Sequence, residues 1–218
     1  MNSTQKIKVE IWSDIACPFC YIGKRKFEMA LAQFKYKDLV EIEWKSYILD
    51  PNKITDTNLS IAESLAKRKE ITVQEAINMG DYVTKAAESV NLTYDFTNMV
   101  VANTHKGHQF LHFAKLHNLQ NQAKESILEA YFLNNKNIDD TQTLIDLGKS
   151  IGLDSTELKQ ALVSGKYVDE VNNDIKESSE LSIQGVPFFV FNRQFAISGA
   201  QGVGVFLDTL NKIGQADV

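Results

Sequence analysis

The chain has 218 residues, 44% of them hydrophobic and 23% charged, the balance of a folded globular protein. Its 23 lysines and arginines against 28 aspartates and glutamates give a formal net charge of −5, which argues against a basic face built for nucleic acid. No apolar run reaches the roughly 18–20 residues needed to cross a bilayer, and the polar start Met1 to Lys8 has no apolar signal segment, so a cytoplasmic protein without a membrane partner is expected.

Ile7 to Trp12 (IKVEIW) alternates and is β-branched, which predicts a strand. After the short loop Ser13 to Ala16, helical spacing begins at Pro18, with Phe19, Gly23, Phe27, Ala30, Leu31 and Phe34 on one face. Proline suits a first helical turn, because its missing N–H has no partner there in any case. A second strand, Val40 to Ile48, completes a β-α-β unit.

From about Leu59 to Ser164 the chain contains no proline and reads as helices over 61–69, 73–89, 103–117, 120–133, 141–151 and 155–164. Thr72 with Glu75, and Asp154 with Glu157, stand at the offset of an N-cap and its first-turn acid, and Gly152 fits a helix end. A helix over 167–181 follows, then Gly185-Val186-Pro187, an apolar strand Phe188 to Phe191, a turn at Asn192-Arg193, a strand Gln194 to Ser198 and a terminal helix over 201–213. The two ends supply one sheet flanked by helices. The expected organisation is an α/β (α+β) domain split into residues 1–55 and 165–218 by a helical insertion over 56–164.

The chain has two cysteines, Cys17 and Cys20, at the junction of the first strand and its helix. Two cysteines cannot form a disulfide scaffold for a chain this long. The thiolate is the reactive form of cysteine, and the free N–H groups of a helix start favour an anion. Cys17 falls at the expected N-cap and is therefore expected to ionise readily and to form the mixed disulfide, with Cys20, one turn deeper, resolving it. A zinc site built from Cys17, Cys20, His108 and His112 is the competing reading; zinc needs about four ligands and there is no second cysteine pair, so no metal is expected. Val186-Pro187 is the second signal. A cis bond there leaves the Val186 backbone free to pair with an extended partner, whereas a trans proline at an edge strand is the plainer reading.

VEIWSDIACPFCYIGKRKFE, IQGVPFFVFN and ISGAQ, together with EIEWKSYILDPN and NTHKGHQFLHFA, resemble the DsbA-like thioredoxin-fold proteins, and within them the FrnE-like cytoplasmic branch. The resemblance runs along nearly the whole chain. It implies a thioredoxin-like fold with a large all-helical insertion and a thiol–disulfide oxidoreductase in which Cys17 attacks, Cys20 resolves and Pro187 is cis beside them. It implies no bound cofactor beyond the Cys17–Cys20 couple, with glutathione as a co-substrate. Protein or small-molecule thiols and disulfides would be the partners, and a thioredoxin- or glutathione-type reductant would recycle the pair. In the same superfamily, kappa-class glutathione transferases and chromene-carboxylate isomerases carry serine at the first position, and both thiols are present here. Phe19 stands where DsbA has a histidine, so a milder oxidant is expected, and a reducing cytosol favours disulfide reduction or isomerisation.

Pro18, Phe19 and Val186 are the expected substrate-binding residues, with Trp12 and Tyr21 either rim or core. Glu10, in mid-strand, and Asp14, in the loop before Cys17, are the candidate proton acceptors for Cys20. His108 is read as cleft-facing or packed, and Lys24-Arg25-Lys26 and Lys67-Arg68-Lys69 as solvated surface. A glutathione-dependent transferase or isomerase of the kappa type, and a non-catalytic adaptor or chaperone-like module, are the alternative functions.

Overall fold

The computed structural model describes residues 6–216, so the polar start at Met1–Gln5 lies outside it. Strand β1, Ile7–Ser13, runs through the middle of a four-stranded sheet of order β2-β1-β3-β4. β2, Val40–Ser46, lies parallel to it with Trp44 opposite Ile11, joined through helix α1, Pro18–Gln33. β3, Phe188–Phe191, is antiparallel to β1, and β4, Phe195–Ser198, is antiparallel to β3.

Alternation along β1 sends its residues to two faces. Ile7, Val9 and Ile11 pack with Phe27 of α1, Phe189 and Phe191 of β3, and Phe206 and Leu210 of the terminal helix α9, Val203–Ala216. Phe189 meets Phe206 edge-on with ring centres 4.7 Å apart. Burying each such ring contributes about 1.5–3 kcal/mol. Glu10 and Trp12 face the other way, beneath helix α8, Val168–Glu180, where the Trp12 Nε1–H donates to the Asp174 carbonyl at 3.1 Å.

Between β2 and α8 lie α2 (Ile61–Lys69), α3 (Val73–Glu88), α4 (His105–Leu116), α5 (Gln120–Phe132), α6 (Thr141–Ser150) and α7 (Ser155–Ser164). Capping boxes start α2 at Ser60/Glu63 and α3 at Thr72/Glu75, and the Asp154 carboxylate accepts from the Thr156 and Glu157 N–H groups at the start of α7. Their apolar stripes share one core, with Phe110 and Leu111 of α4, Ile127 and Leu128 of α5, Leu144 and Leu158. Ile15 and Tyr21, on either side of the cysteines, belong to that same core, so the helices press directly on the loop that carries Cys17. Gly107 permits this approach: a Cβ there would lie 2.6 Å from Ile15 Cδ1 and 2.8 Å from Ile127 Cδ1.

Two boundaries differ from the sequence reading for visible reasons. β2 stops at Ser46, not Ile48, because its ladder with β1 ends at the Ser13–Ser46 pair. α4 starts at His105 because the Asn103 side chain turns back to accept the His105 N–H. β2 is an edge strand, and the Gln120 side chain covers its exposed backbone, accepting from Trp44 N–H at 3.0 Å and donating to Trp44 C=O at 2.9 Å.

Buried ionic groups make the fold sensitive to acid. Asp174 accepts from Ser46 N–H (2.8 Å), Lys45 Nζ (2.9 Å) and His112 Nε2 (3.1 Å). Burial would raise its pKa, but those donors hold it below the usual carboxylate value. Glu43 resists burial in the same way through Lys115 and Lys8 and is pulled down to about 2. His108 is pushed down by burial. All three shifts are depressions, so the unfolded chain binds protons first, and stability present near neutrality is lost as pH falls. The loss begins below about 6.5, where unfolded histidine titrates, and steepens below about 4. Thermal melts between pH 7 and 3 should show Tm falling across this window, with Asp174→Asn flattening its acidic part; a constant Tm would contradict these assignments.

Candidate active site

Cys17 is the N-cap of α1 and Pro18 its first residue, so the chain leaves β1, turns once and enters the helix at the first thiol. Both cysteines are free thiols; Cys17 is 5% exposed and Cys20 fully buried, the order expected. The Val186–Pro187 bond is cis. The Cys17 Sγ–H lies 3.4 Å from the Val186 carbonyl and donates to it. α1 comes this near to the proline because Gly23 has no side chain: a Cβ there would stand 2.9 Å from Pro187 Cγ. Pro187 C=O in turn accepts from the Gly199 N–H at 2.8 Å, which ties this loop to the end of β4.

The candidate carboxylates separate cleanly. Glu10 is buried, but on the α8 face of the sheet, held by Arg193 and by Lys8 at 3.3 Å; it lies neither on the solvent side nor behind the thiols. Its parity in β1 is that of Trp12, whereas Ser13 has the parity of Ile11 and faces α1. Asp14 is the carboxylate that acts on the pair. Oδ2 accepts from Leu49 N–H at 2.8 Å, and Oδ1 lies 3.4 Å from His108 Nε2 and accepts from Ala16 N–H at 3.3 Å. Burial would raise its pKa, yet His108, the Leu49 N–H and the Thr104 hydroxyl hold it below the ordinary value. His108 is therefore a packed residue that holds Asp14, and His112 is turned to Ser46 and Asp174.

The thiols share a proton in a way the N-cap argument alone does not anticipate. Cys17 is pushed well above the usual thiol value by its hydrogen bond to Cys20, by burial and by the negative charges of Cys20 and Asp14, with the Cys20 N–H opposing. Cys20 is raised by burial but brought below the usual value by the Cys17 hydrogen bond, the Lys124 charge and the Ser13 hydroxyl. The helix start favours an anion at Cys17, and the Val186 carbonyl accepts from the same thiol.

Around the pair, Trp12 and Tyr21 are core, while Pro18 is half-buried and Phe19 is 36% exposed. Leu49, whose N–H is fixed by Asp14, is also exposed, so apolar surface adjoins the thiols. The Pro18 carbonyl is taken by Tyr94 Oη at 2.8 Å, which anchors the loop to the helical segment. The Lys24-Arg25-Lys26 run is not the solvated surface its composition suggests: Lys24 is buried, and with Arg25 it grips Glu125 of α5. Lys124 of α5 is a missed residue of the site.

A family model described as a DSBA-like thioredoxin domain matches residues 8–211. The chain belongs to this family. DsbA-like proteins are thiol–disulfide oxidoreductases, and this one is an enzyme of that kind. The DsbA-like chain is 32% identical to a crystal structure described as a probable DsbA oxidoreductase from Streptomyces coelicolor, with a TM-score of 0.88 over 97% of this chain and 91% of the other. It is 29% identical over 202 residues to YwbO of Bacillus subtilis, covering 92% of this chain and 94% of that protein. The cytosolic disulfide reductase DsbM of Pseudomonas aeruginosa shares the fold at a TM-score of 0.64 and 14% identity, over 96% of both chains. Among the described residues no helix is long and apolar enough to cross a membrane.

Proposed function

We propose that this enzyme reduces or isomerises disulfides by exchange at Cys17, with Cys20 completing the disulfide and Pro187 and Val186 receiving the partner. The observation that carries this reading is the meeting of the Cys17 sulfur, at a helix start, with the Val186 carbonyl 3.4 Å away. A partner segment that pairs with the Val186 backbone would displace that contact and bring its own sulfur in line. Pro18 and Phe19 extend the contact with apolar surface. The resting cytosolic form is the dithiol, which glutathione or a thioredoxin-type reductant regenerates; neither a metal nor an organic cofactor takes part. DsbM, similar in fold, has been solved with glutathione, and that thiol is the first co-substrate to test.

Phe19 adds no positive charge beside the pair, so the reduced form gains less from ionisation at the first sulfur than it would with a histidine there. A reduction potential well below the roughly −120 mV of DsbA is expected in glutathione buffers. Phe19→His should make it more oxidising, by about 30 mV for each tenfold change in equilibrium. A wild-type value as oxidising as DsbA would overturn the reductase direction.

A further inference from the structure

We propose that Tyr94, contributed by the helical segment, is a positioning residue for the thiol pair. Its hydroxyl is bound to the carbonyl of Pro18, between the two cysteines, and polarises the first turn of α1 so that the N–H groups there hold a thiolate at Cys17. This rests on the reading of Cys17 as the attacking thiol.

Tyr94 lies on the segment that joins α3 to α4 and is buried. Aromatic neighbours fix its ring: Phe132 of α5 stacks on it with centres 4.7 Å apart, Tyr21 of α1 stacks at 6.4 Å, and Phe96 meets it edge-on at 5.7 Å. The next residue pins the backbone. The Asp95 carboxylate accepts from Thr97 N–H at 3.0 Å, Asn98 Nδ2 at 2.8 Å and Asn135 Nδ2 at 3.0 Å. The phenol is therefore aimed by groups remote from the thiols, and its Oη–H donates to the Pro18 carbonyl at 2.8 Å.

A carbonyl oxygen has two acceptor sites and the helix's own bond to the residue four on uses one, so the phenol takes the second without breaking the helix. The Pro18 C=O and the Phe19 N–H belong to one peptide group, whose dipole strengthens when its oxygen is hydrogen-bonded. Pro18 has no N–H of its own, so among the first three residues of α1 only Phe19 and Cys20 offer a donor to the N-cap side chain, which is Cys17. As a thiol, Cys17 donates to the Val186 carbonyl. Loss of that proton leaves a sulfur that can only accept, and the N–H groups of the first turn are the donors placed to meet it. Tyr94 strengthens one of those two.

The titratable groups that act on Cys17 are Cys20 on α1, Asp14 in the loop after β1 and Lys124 on α5, and a change at Tyr94 removes none of them. Tyr21 and Arg25 of α1 face the phenol itself, and burial pushes its pKa up, so it remains a neutral donor while the thiol titrates.

Iodoacetamide alkylation of Cys17 in the full-length Cys20→Ser protein, followed by intact-mass spectrometry from about pH 5 to 11, tests this, because a single thiol then titrates. Adding Tyr94→Phe should raise the midpoint by about 0.2–0.6 pH unit, the size of a roughly 10–30% change in one charge-assisted hydrogen bond. Tyr131→Phe removes another buried hydroxyl from the same core and should leave the midpoint in place. A midpoint that is unmoved or lowered by Tyr94→Phe, or that rises equally with Tyr131→Phe, would overturn the role of Tyr94. If Tyr94→Phe does not fold by circular dichroism, 3-fluorotyrosine placed at position 94 serves, since fluorine keeps the shape and makes the phenol a stronger donor. The midpoint should then fall, and one that stays or rises overturns the proposal. If the Cys20→Ser protein forms no mixed disulfide with glutathione disulfide, it is the reading of Cys17 as the attacking thiol that fails.

Discussion

Cys17→Ser is expected to abolish turnover, lowering disulfide reduction by three orders of magnitude or more, on the scale of losing an enzyme nucleophile. The sulfur is the only atom of its side chain placed to react: it sits at the helix start and points at the carbonyl that a partner strand would claim. Serine keeps the hydrogen bond to Val186 and the cap but has no accessible anion. Cys20→Ser should behave differently, forming a mixed disulfide at a rate near that of the wild type and then stalling. Turbidity from reduced insulin, with glutathione as the electron source, reads the first effect, and intact-mass spectrometry reads the second. Substantial insulin reduction by Cys17→Ser would remove the cysteine from its assigned place.

Asp14→Asn is expected to destabilise the protein and, at the same time, make its thiols ionise more easily. The carboxylate accepts from two backbone N–H groups and the His108 ring inside the protein, and an amide offers one acceptor oxygen where the carboxylate offers two. The expected loss is about 2–4 kcal/mol, seen as a lower urea midpoint. The Asp14 charge also raises the pKa of both cysteines, so its removal should move the pH midpoint of iodoacetamide labelling downward for the pair. Labelling that shifts upward would mean that Asp14 serves the thiols as a base and not as a repelling charge.

Much of this site is readable from the sequence, and the unread parts share a cause. The strand, the N-cap cysteine, the deeper second cysteine and the proline loop follow from local pattern, because β-branching, Pro18 at the first helical turn and the Gly-Val-Pro run act over a few residues. The capping pairs at Thr72 and Asp154 are equally local. Glu10 is a matter of parity: counted from Ile7, Val9 and Ile11 it belongs to the other face, and the proximity of Glu10 to the cysteines in sequence misleads. Lys124 had a signal, since Gln120, Ala123, Ile127, Leu128 and Tyr131 form the buried stripe of α5, and Lys124 falls within that stripe. What no stripe reveals is that β2 receives this helix on its edge, a contact between residues 76 apart. The contact between Cys17 and the Val186 carbonyl is hidden for the same reason, because the two residues come from distant segments.

Exchange is expected to begin at the outer sulfur, Cys17, and to end within the pair. The reduced wild-type protein, mixed with one equivalent of glutathione disulfide, quenched with acid at successive times and mapped by peptide mass spectrometry, tests this directly. The predicted sequence is a glutathione adduct on Cys17 that decays as a Cys17–Cys20 disulfide appears. An adduct that forms first on Cys20, or separate adducts on both cysteines with no internal disulfide, would contradict it.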